Sequence, residues 1–129
     1  MRTRNYSRKR EAVLEMIRSC KCHPTAAWVY HGLREQFPDL SLGTVYRNLV
    51  LFKQEGTILS VATIDGQERF DGLVDPHGHF ICRTCGAISD MDVPAALSRD
   101  MAAQRQLQQC RVDRVDCTVY GTCAACLQH

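Results

Sequence analysis

The sequence predicts an α+β fold in two modules, and three observations carry that prediction. Residues 7 to 55 show three short stretches of helical spacing. An Asp65-Gly66 pair then separates two strand-like runs, a strong hairpin signal. Two Cys-x-x-Cys pairs, Cys82/Cys85 and Cys123/Cys126, frame a final stretch that reads β-β-α-β. Three helices and a hairpin, with only a few residues between helices two and three, is the order of a winged helix-turn-helix. The expected boundaries are 1–70 for a winged-helix DNA-binding domain, 71–76 for a hinge and 77–129 for a dimerisation and metal-binding domain.

The elements follow in order. Ser7 is placed to cap a first helix over 7–19, with Val13, Leu14 and Ile17 at helical spacing. His23-Pro24-Thr25 breaks it, and Thr25 caps a second helix with Val29, Tyr30, Leu33 and Phe37 as its apolar stripe. Ser41 caps a third helix reaching Glu55, with Leu42, Val45, Leu49 and Phe52 facing inward and Gly56 closing its end. Thr57 to Ile64 and Gln67 to Phe70 form the hairpin. Gly72, Asp75 and Pro76 mark the connecting segment. Strands are expected at His79 to Cys82 and Ala87 to Val93, a helix from Pro94 to about Cys110, and a last strand over Val112 to Tyr120. Leu97, Met101 and Leu107 would face that helix's packing side. So small a second module has too little core to stand alone, so a metal staple or a dimer partner is expected.

Bulk properties narrow the class. A chain of 129 residues, 45% apolar and 23% charged, is that of a folded soluble protein. No apolar run approaches a membrane span, and the basic N-terminus leads into Ser7-Arg-Lys-Arg-Glu-Ala rather than an apolar signal core. A cytoplasmic protein with no membrane partner is expected. Residues 1–56 hold ten Lys/Arg against five Asp/Glu, while residues 57–129 hold six against nine. The first half suits phosphates and the second suits cations.

On the third helix the inward stripe leaves Thr44, Tyr46, Arg47 and Asn48 toward solvent. Arg pairs with guanine, Asn with adenine, and Thr or Tyr touches a thymine methyl. Arg8, Lys9, Arg10, Arg18 and Lys53 are candidates for phosphate contact.

Eight cysteines raise the question of disulfides, but both Cys-x-x-Cys spacings fit metal or redox chemistry in a reducing compartment. Cys82, Cys85, Cys123 and Cys126 supply four soft thiolates, the donor set of a closed structural Zn(II) site. The competing reading, a thiol oxidoreductase, lacks the βαβ setting that such a motif uses. Cys110 and Cys117 read as core cysteines. Cys20 and Cys22, beside His23, are either idle or a redox or metal accessory. His77 and His79 lie two apart on a strand entry and project to one side. With Asp71, Asp75 and Asp90 they form a thiolate-free set that suits Fe(II) or Mn(II). Spacing alone leaves His23 undecided.

Thr44-Val-Tyr-Arg-Asn-Leu49, Arg69-Phe-Asp71, His77-x-His79-Phe-x-Cys82-x-x-Cys85-Gly86 and Cys123-x-x-Cys126 together resemble the ferric uptake regulator family. Those proteins are dimeric, metal-dependent bacterial repressors. The likeness runs from about Ser7 to Cys126 and is closest to the peroxide-sensing PerR branch, toward which the aspartate at position 90 leans. The resemblance implies a regulatory Fe(II) or Mn(II) held by His23, Asp71, His77, His79 and Asp90. It implies that iron and hydrogen peroxide oxidise His23 and His77, releasing a palindromic DNA operator from the homodimer. It implies a regulator, not an enzyme. Iron-, manganese- or zinc-responsive repressors without peroxide sensing share the same fold, and a zinc-stabilised interaction module is a reading of another class. One departure is that family members usually carry a further helix before the one beginning near Ser7. Arg2 and Arg4 are placed to serve as a basic arm in its stead.

Overall fold

The computed structural model describes residues 2–75 and 77–128, with the side chains of residues 2–7 outside that description. The chain divides into two compact units, Met1–Val74 and Asp75–His129. Pro76, in the expected hinge, lies outside the described residues.

The first unit runs α1 (Arg2–Ser19), α2 (Ala26–Leu33), α3 (Leu42–Glu55), β1 (Leu59–Ile64) and β2 (Gln67–Asp71). Local chemistry sets the boundaries. The Thr25 side chain accepts the amide of Trp28, and the Ser41 side chain accepts that of Thr44, so each satisfies an orphan donor at a helix start. Gly56 ends α3 in the left-handed conformation, with φ of 75°. Asp65 and Gly66 both take positive φ, as the two-residue hairpin between β1 and β2 requires.

Two expectations change here. The chain is already helical before Ser7, because Arg2 to Tyr6 contains no breaker, so α1 starts at Arg2, and Arg2 and Arg4 lie within it. Helix α2 stops at Leu33, and Phe37 is buried from the turn that follows.

The core of this unit joins Val13 and Ile17 of α1, Val29 and Leu33 of α2, Val45, Leu49 and Phe52 of α3, and Ile58 and Phe70 around the hairpin. Asn48 lies three residues from Val45 and four from Phe52, in the middle of the same stripe. It is accordingly 1% exposed. Its expected place on the solvent face is corrected, and so is the expected inward place of Leu42, which is 38% exposed on the first turn. Gly72 is needed for contact: a Cβ there would sit 2.8 Å from the Cα of Arg18.

The second unit runs β3 (Gly78–Cys82), β4 (Ile88–Met91), α4 (Ala95–Ala102), a 3-10 turn (Arg105–Leu107), β5 (Cys117–Gly121) and α5 (Ala124–Leu127). Strand β3 is central, antiparallel to β4 and parallel to β5. The expected helix to Cys110 ends at Ala102, because Leu97 and Met101 are exposed and α4 buries no residue against this chain. Cys110 is exposed and Cys117 half-buried, so neither is a core cysteine. The last strand starts at Cys117, since residues 111–116 instead form local ion pairs, Arg111–Asp113 at 2.8 Å and Arg114–Asp116 at 2.6 Å. No described helix is long and apolar enough to cross a membrane.

Asn48 has no hydrogen-bond partner for either amide atom among the described residues. Replacing such a group by an apolar one of similar shape is nearly neutral or stabilising, whereas deleting core methyls creates a cavity. Leu49→Ala should therefore lower stability by about 2–5 kcal/mol in urea melts. Asn48→Leu should leave it unchanged or raise it. A loss with Asn48→Leu equal to that of Leu49→Ala would refute this account of the stripe.

Candidate metal centres and nucleic-acid interface

The four cysteines of the paired motifs meet in the second unit. Cys82 ends β3, Cys85 lies in the turn before β4, and Cys123 and Cys126 flank and occupy α5. Gly86, at φ of 77°, closes the turn, with its amide donating to the Cys82 carbonyl at 2.9 Å. The ligand atoms of the four lie within 4.8 Å of one another. Sulfur contacts run between the motifs, Cys82 to Cys126 and Cys85 to Cys123, each at 3.8 Å. Four sulfurs each about 2.3 Å from one tetrahedral Zn(II) stand about 3.8 Å apart, so the donor set and its spacing fit zinc.

The protons of this cluster are unevenly held. Amides of Cys123 and Cys85 point at the Cys82 sulfur, at 3.3 and 3.4 Å, and pull its pKa down to about 6. Cys126, hydrogen-bonded to the Cys123 sulfur and desolvated, is pushed up to about 12. Near neutral pH the cluster thus offers Cys82 as a thiolate and retains a proton on Cys126. A bound cation displaces the Cys126 proton.

Nitrogen and oxygen donors form a set in each unit. In the first, His23 occupies the turn between α1 and α2, and Asp71 ends β2. Both are buried, and His23 Nε2 lies 3.4 Å from Asp71 Oδ2. The other carboxylate oxygen of Asp71 accepts the Leu73 amide at 2.8 Å, which fixes its plane. His23 has φ of 53°, uncommon for a residue other than glycine. Arg69 holds that turn: Nη2 donates to the Cys22 carbonyl at 2.7 Å and Nε to the His23 carbonyl. The Phe70 amide donates to the Pro24 carbonyl at 3.0 Å. The sequence reading missed this positioning role of Arg69, which appears only when β2 is laid beside the turn.

In the second unit, His79 of β3 stands opposite Asp90 of β4. The Nε2 atoms of His77 and His79 each lie 3.3 Å from the same Asp90 oxygen. The His77 Nδ1 lies 2.8 Å from the Asp75 carbonyl, which favours a proton on Nδ1 and leaves Nε2 as the lone-pair donor. Asp75 thus contributes its backbone rather than its carboxylate. Donors about 2.1 Å from one cation stand roughly 3.0–3.5 Å apart, so both histidine–aspartate sets have ligand-like spacing. Neutral nitrogen and carboxylate oxygen without sulfur suit Fe(II) or Mn(II).

Helix α3 presents Tyr46 and Val50, at 51% and 46% exposure, with Arg47 between them. Thr44 is half-buried and accepts Arg47 Nη2 at 3.0 Å. Asn48 is removed from this face by burial. Arg8 is exposed, while Arg10 is held by Glu55 at 2.7 Å. Lys9 is likewise paired with Asp39 at 2.9 Å, which holds that carboxyl below its ordinary pKa. Val50 was missed as a surface residue because its apolar side chain carries no sequence signal of exposure.

Comparison with known proteins agrees with this layout. The family model described as the ferric uptake regulator family matches residues 2–120. The peroxide operon regulator of Bacillus subtilis is 33% identical over 118 residues, spanning 92% of this chain and 81% of the relative. The peroxide-responsive repressor PerR of Staphylococcus aureus is 34% identical over 118 residues, spanning 92% and 79%. Among solved structures, the Helicobacter pylori ferric uptake regulator superposes with a TM-score of 0.81 at 23% identity, covering 95% of this chain and 81% of that one. The Campylobacter jejuni peroxide stress regulator gives 0.77 at 24% identity, covering 95% and 91%. On this match over nearly the whole chain, the protein belongs to the ferric uptake regulator family of metal-responsive regulators.

Proposed function

We propose that this chain is a cytoplasmic, homodimeric repressor that binds a palindromic DNA operator when its regulatory metal is loaded and releases it on exposure to hydrogen peroxide. The observation that carries the reading is the separation of donor types. One cluster holds only thiols, and the histidine–aspartate sets hold none. In this reading Cys82, Cys85, Cys123 and Cys126 keep Zn(II) permanently. His23, Asp71, His77, His79 and Asp90 hold an exchangeable Fe(II) or Mn(II). The similarity to peroxide regulators supports the choice of signal.

Bound Fe(II) would supply the reduction of hydrogen peroxide that generates an oxidant beside the imidazoles. The chain's own residues do the rest. Arg69 and the Asp75 carbonyl hold His23 and His77 in place, so the oxidant forms next to two fixed rings. An oxidised ring is a poorer donor, so an oxidised His23 or His77 would hold the metal less tightly. Since metal favours the DNA-competent form, DNA must favour metal equally. On α3, Arg47 and Tyr46 contact base edges, with Thr44 bracing the guanidinium, and Arg8 meets phosphate. Tyr120 and Val119 of β5 and Leu97 and Met101 of α4 offer the exposed apolar surface that a second copy would cover. A thiol oxidoreductase finds no support: the sulfur contacts link the two Cys-x-x-Cys motifs to each other.

Treatment of the Fe(II)-loaded protein with peroxide should add oxygen to His23 or His77 in peptide mass spectra, and the Mn(II)-loaded protein should resist. Unmodified histidines would sink peroxide sensing and leave an iron- or manganese-responsive repressor; tighter regulatory binding of Zn(II) than of Fe(II) would indicate a zinc regulator. For DNA, a palindrome selected from random duplexes with Mn(II)-loaded protein is the probe. Arg47→Ala should weaken it by about 1–3 kcal/mol and relax one base position. Arg8→Ala should lower the salt slope by about one without changing sequence preference. Zinc affinity, read by chelator competition, should rise with pH between 6 and 8, because Cys126 must lose a proton to bind. It should fall more steeply below pH 6, where Cys82 also becomes protonated. A pH-independent affinity would exclude the four-thiolate site.

A further inference from the structure

We propose that Cys20 and Cys22 form a reversible dithiol–disulfide pair whose redox state sets how firmly the adjoining turn presents His23. This rests on the proposed role of His23 as a regulatory ligand. Helix α1 ends at Ser19 and releases Cys20-Lys21-Cys22 as a turn. The two cysteines are joined as a disulfide, with Cα atoms 5.2 Å apart, inside the usual range for such a bond. Cys22 is exposed and Cys20 half-buried, so small oxidants and reductants reach them. Neither belongs to the thiol cluster of the second unit.

The turn has two anchors. On its far side, Arg69 and the Phe70 amide bind three successive carbonyls, those of Cys22, His23 and Pro24. On its near side, the sulfur bridge ties Cys20 to Cys22. His23 lies between them, its backbone left-handed and its ring 2% exposed. Opening the bridge returns freedom to the residues that lead into His23, and a less pre-organised ligand binds metal less tightly. The oxidised pair therefore favours metal loading and the reduced pair disfavours it.

The chemistry balances with hydrogen peroxide as oxidant. The Cys22 thiolate attacks one peroxide oxygen, the O–O bond breaks, and water leaves after protonation, giving a sulfenic acid. The Cys20 sulfur then displaces that hydroxyl as a second water and forms the S–S bond. Two thiols and one peroxide yield one disulfide and two waters. A small dithiol reverses the change by two exchange steps.

The test uses the zinc-loaded full chain, free of iron. One equivalent of peroxide, followed by alkylation and peptide mapping, should remove two hydrogens from the segment holding Cys20 and Cys22. Dithiothreitol should restore both thiols. Overoxidation without a disulfide, or pairing of either residue with Cys110, overturns the proposal. Mn(II) titration should show the oxidised form binding at least about threefold tighter than the reduced form. The Cys20→Ser/Cys22→Ser double variant should match the reduced form and ignore peroxide. Equal affinity in the two redox forms overturns the coupling. Absence of Mn(II) binding in both forms instead defeats the regulatory-site reading. Amide exchange over residues 20–24 then decides the pair by itself: slower exchange when oxidised supports it, and unchanged exchange overturns it.

Discussion

The contact among Cys82, Cys85, Cys123 and Cys126 is the constraint on which the second unit depends. Its buried apolar side chains are few, Ile81 and Cys82 among the described residues, while Leu97, Met101, Val119, Tyr120 and Leu127 are exposed. A sheet of three short strands with so thin a core cannot offset the entropy of ordering its chain. The sulfur cluster closes a long loop between β3 and α5 and so supplies cohesion that packing does not. His77 and His79 stand at the start of the strand whose end carries Cys82. Whatever steadies the thiols also steadies the imidazoles, so under the proposed function the permanent metal would be a mechanical condition for the responsive one.

The first unit solves the same problem differently. Its twelve-residue core holds the helices and hairpin without a cross-link to metal. Precision at His23 comes from β2: Arg69 and Phe70 bind the turn's carbonyls, and Asp71, next in the strand, faces the imidazole. Three consecutive residues thus fix the backbone, fill the core and supply a carboxylate. A left-handed histidine persists here because hydrogen bonds from β2 hold one side of its turn and the Cys20–Cys22 bridge ties the other.

Much of this was legible because the signals are local. A threonine or serine cap, an Asp-Gly turn and a Cys-x-x-Cys spacing each act within four residues, and the structure has them at Thr25, Ser41, Asp65 and the two cysteine pairs. What was not legible depends on phase or partners. Asn48 reads as a base-contacting residue by its chemistry, yet helical geometry puts it under Val45 and Phe52. Helix α4 has an apolar stripe in sequence, but with nothing among the described residues to bury it the helix ends at Ala102. The site residues were named partly through family resemblance. Spacing gave no reason to place His23 beside Asp71, and only the pairing of β2 with the turn does so.

The two oxidisable features near this turn differ in what reaches them. The His23 ring is buried, so an oxidant from bulk solvent meets the sulfurs of Cys20 and Cys22 first. In the proposed function, an oxidant generated at bound iron would meet the imidazole first. On that reading, metal occupancy would decide which chemistry a given peroxide molecule performs. Disulfide formation is undone by thiols, whereas oxidation of the ring is not reversed by them. A chain carrying both would register brief exposure as a change in metal affinity and sustained exposure as loss of a ligand. Under the proposed coupling, in which the bridge favours metal loading, the reversible event would raise the fraction of molecules prepared for the irreversible one.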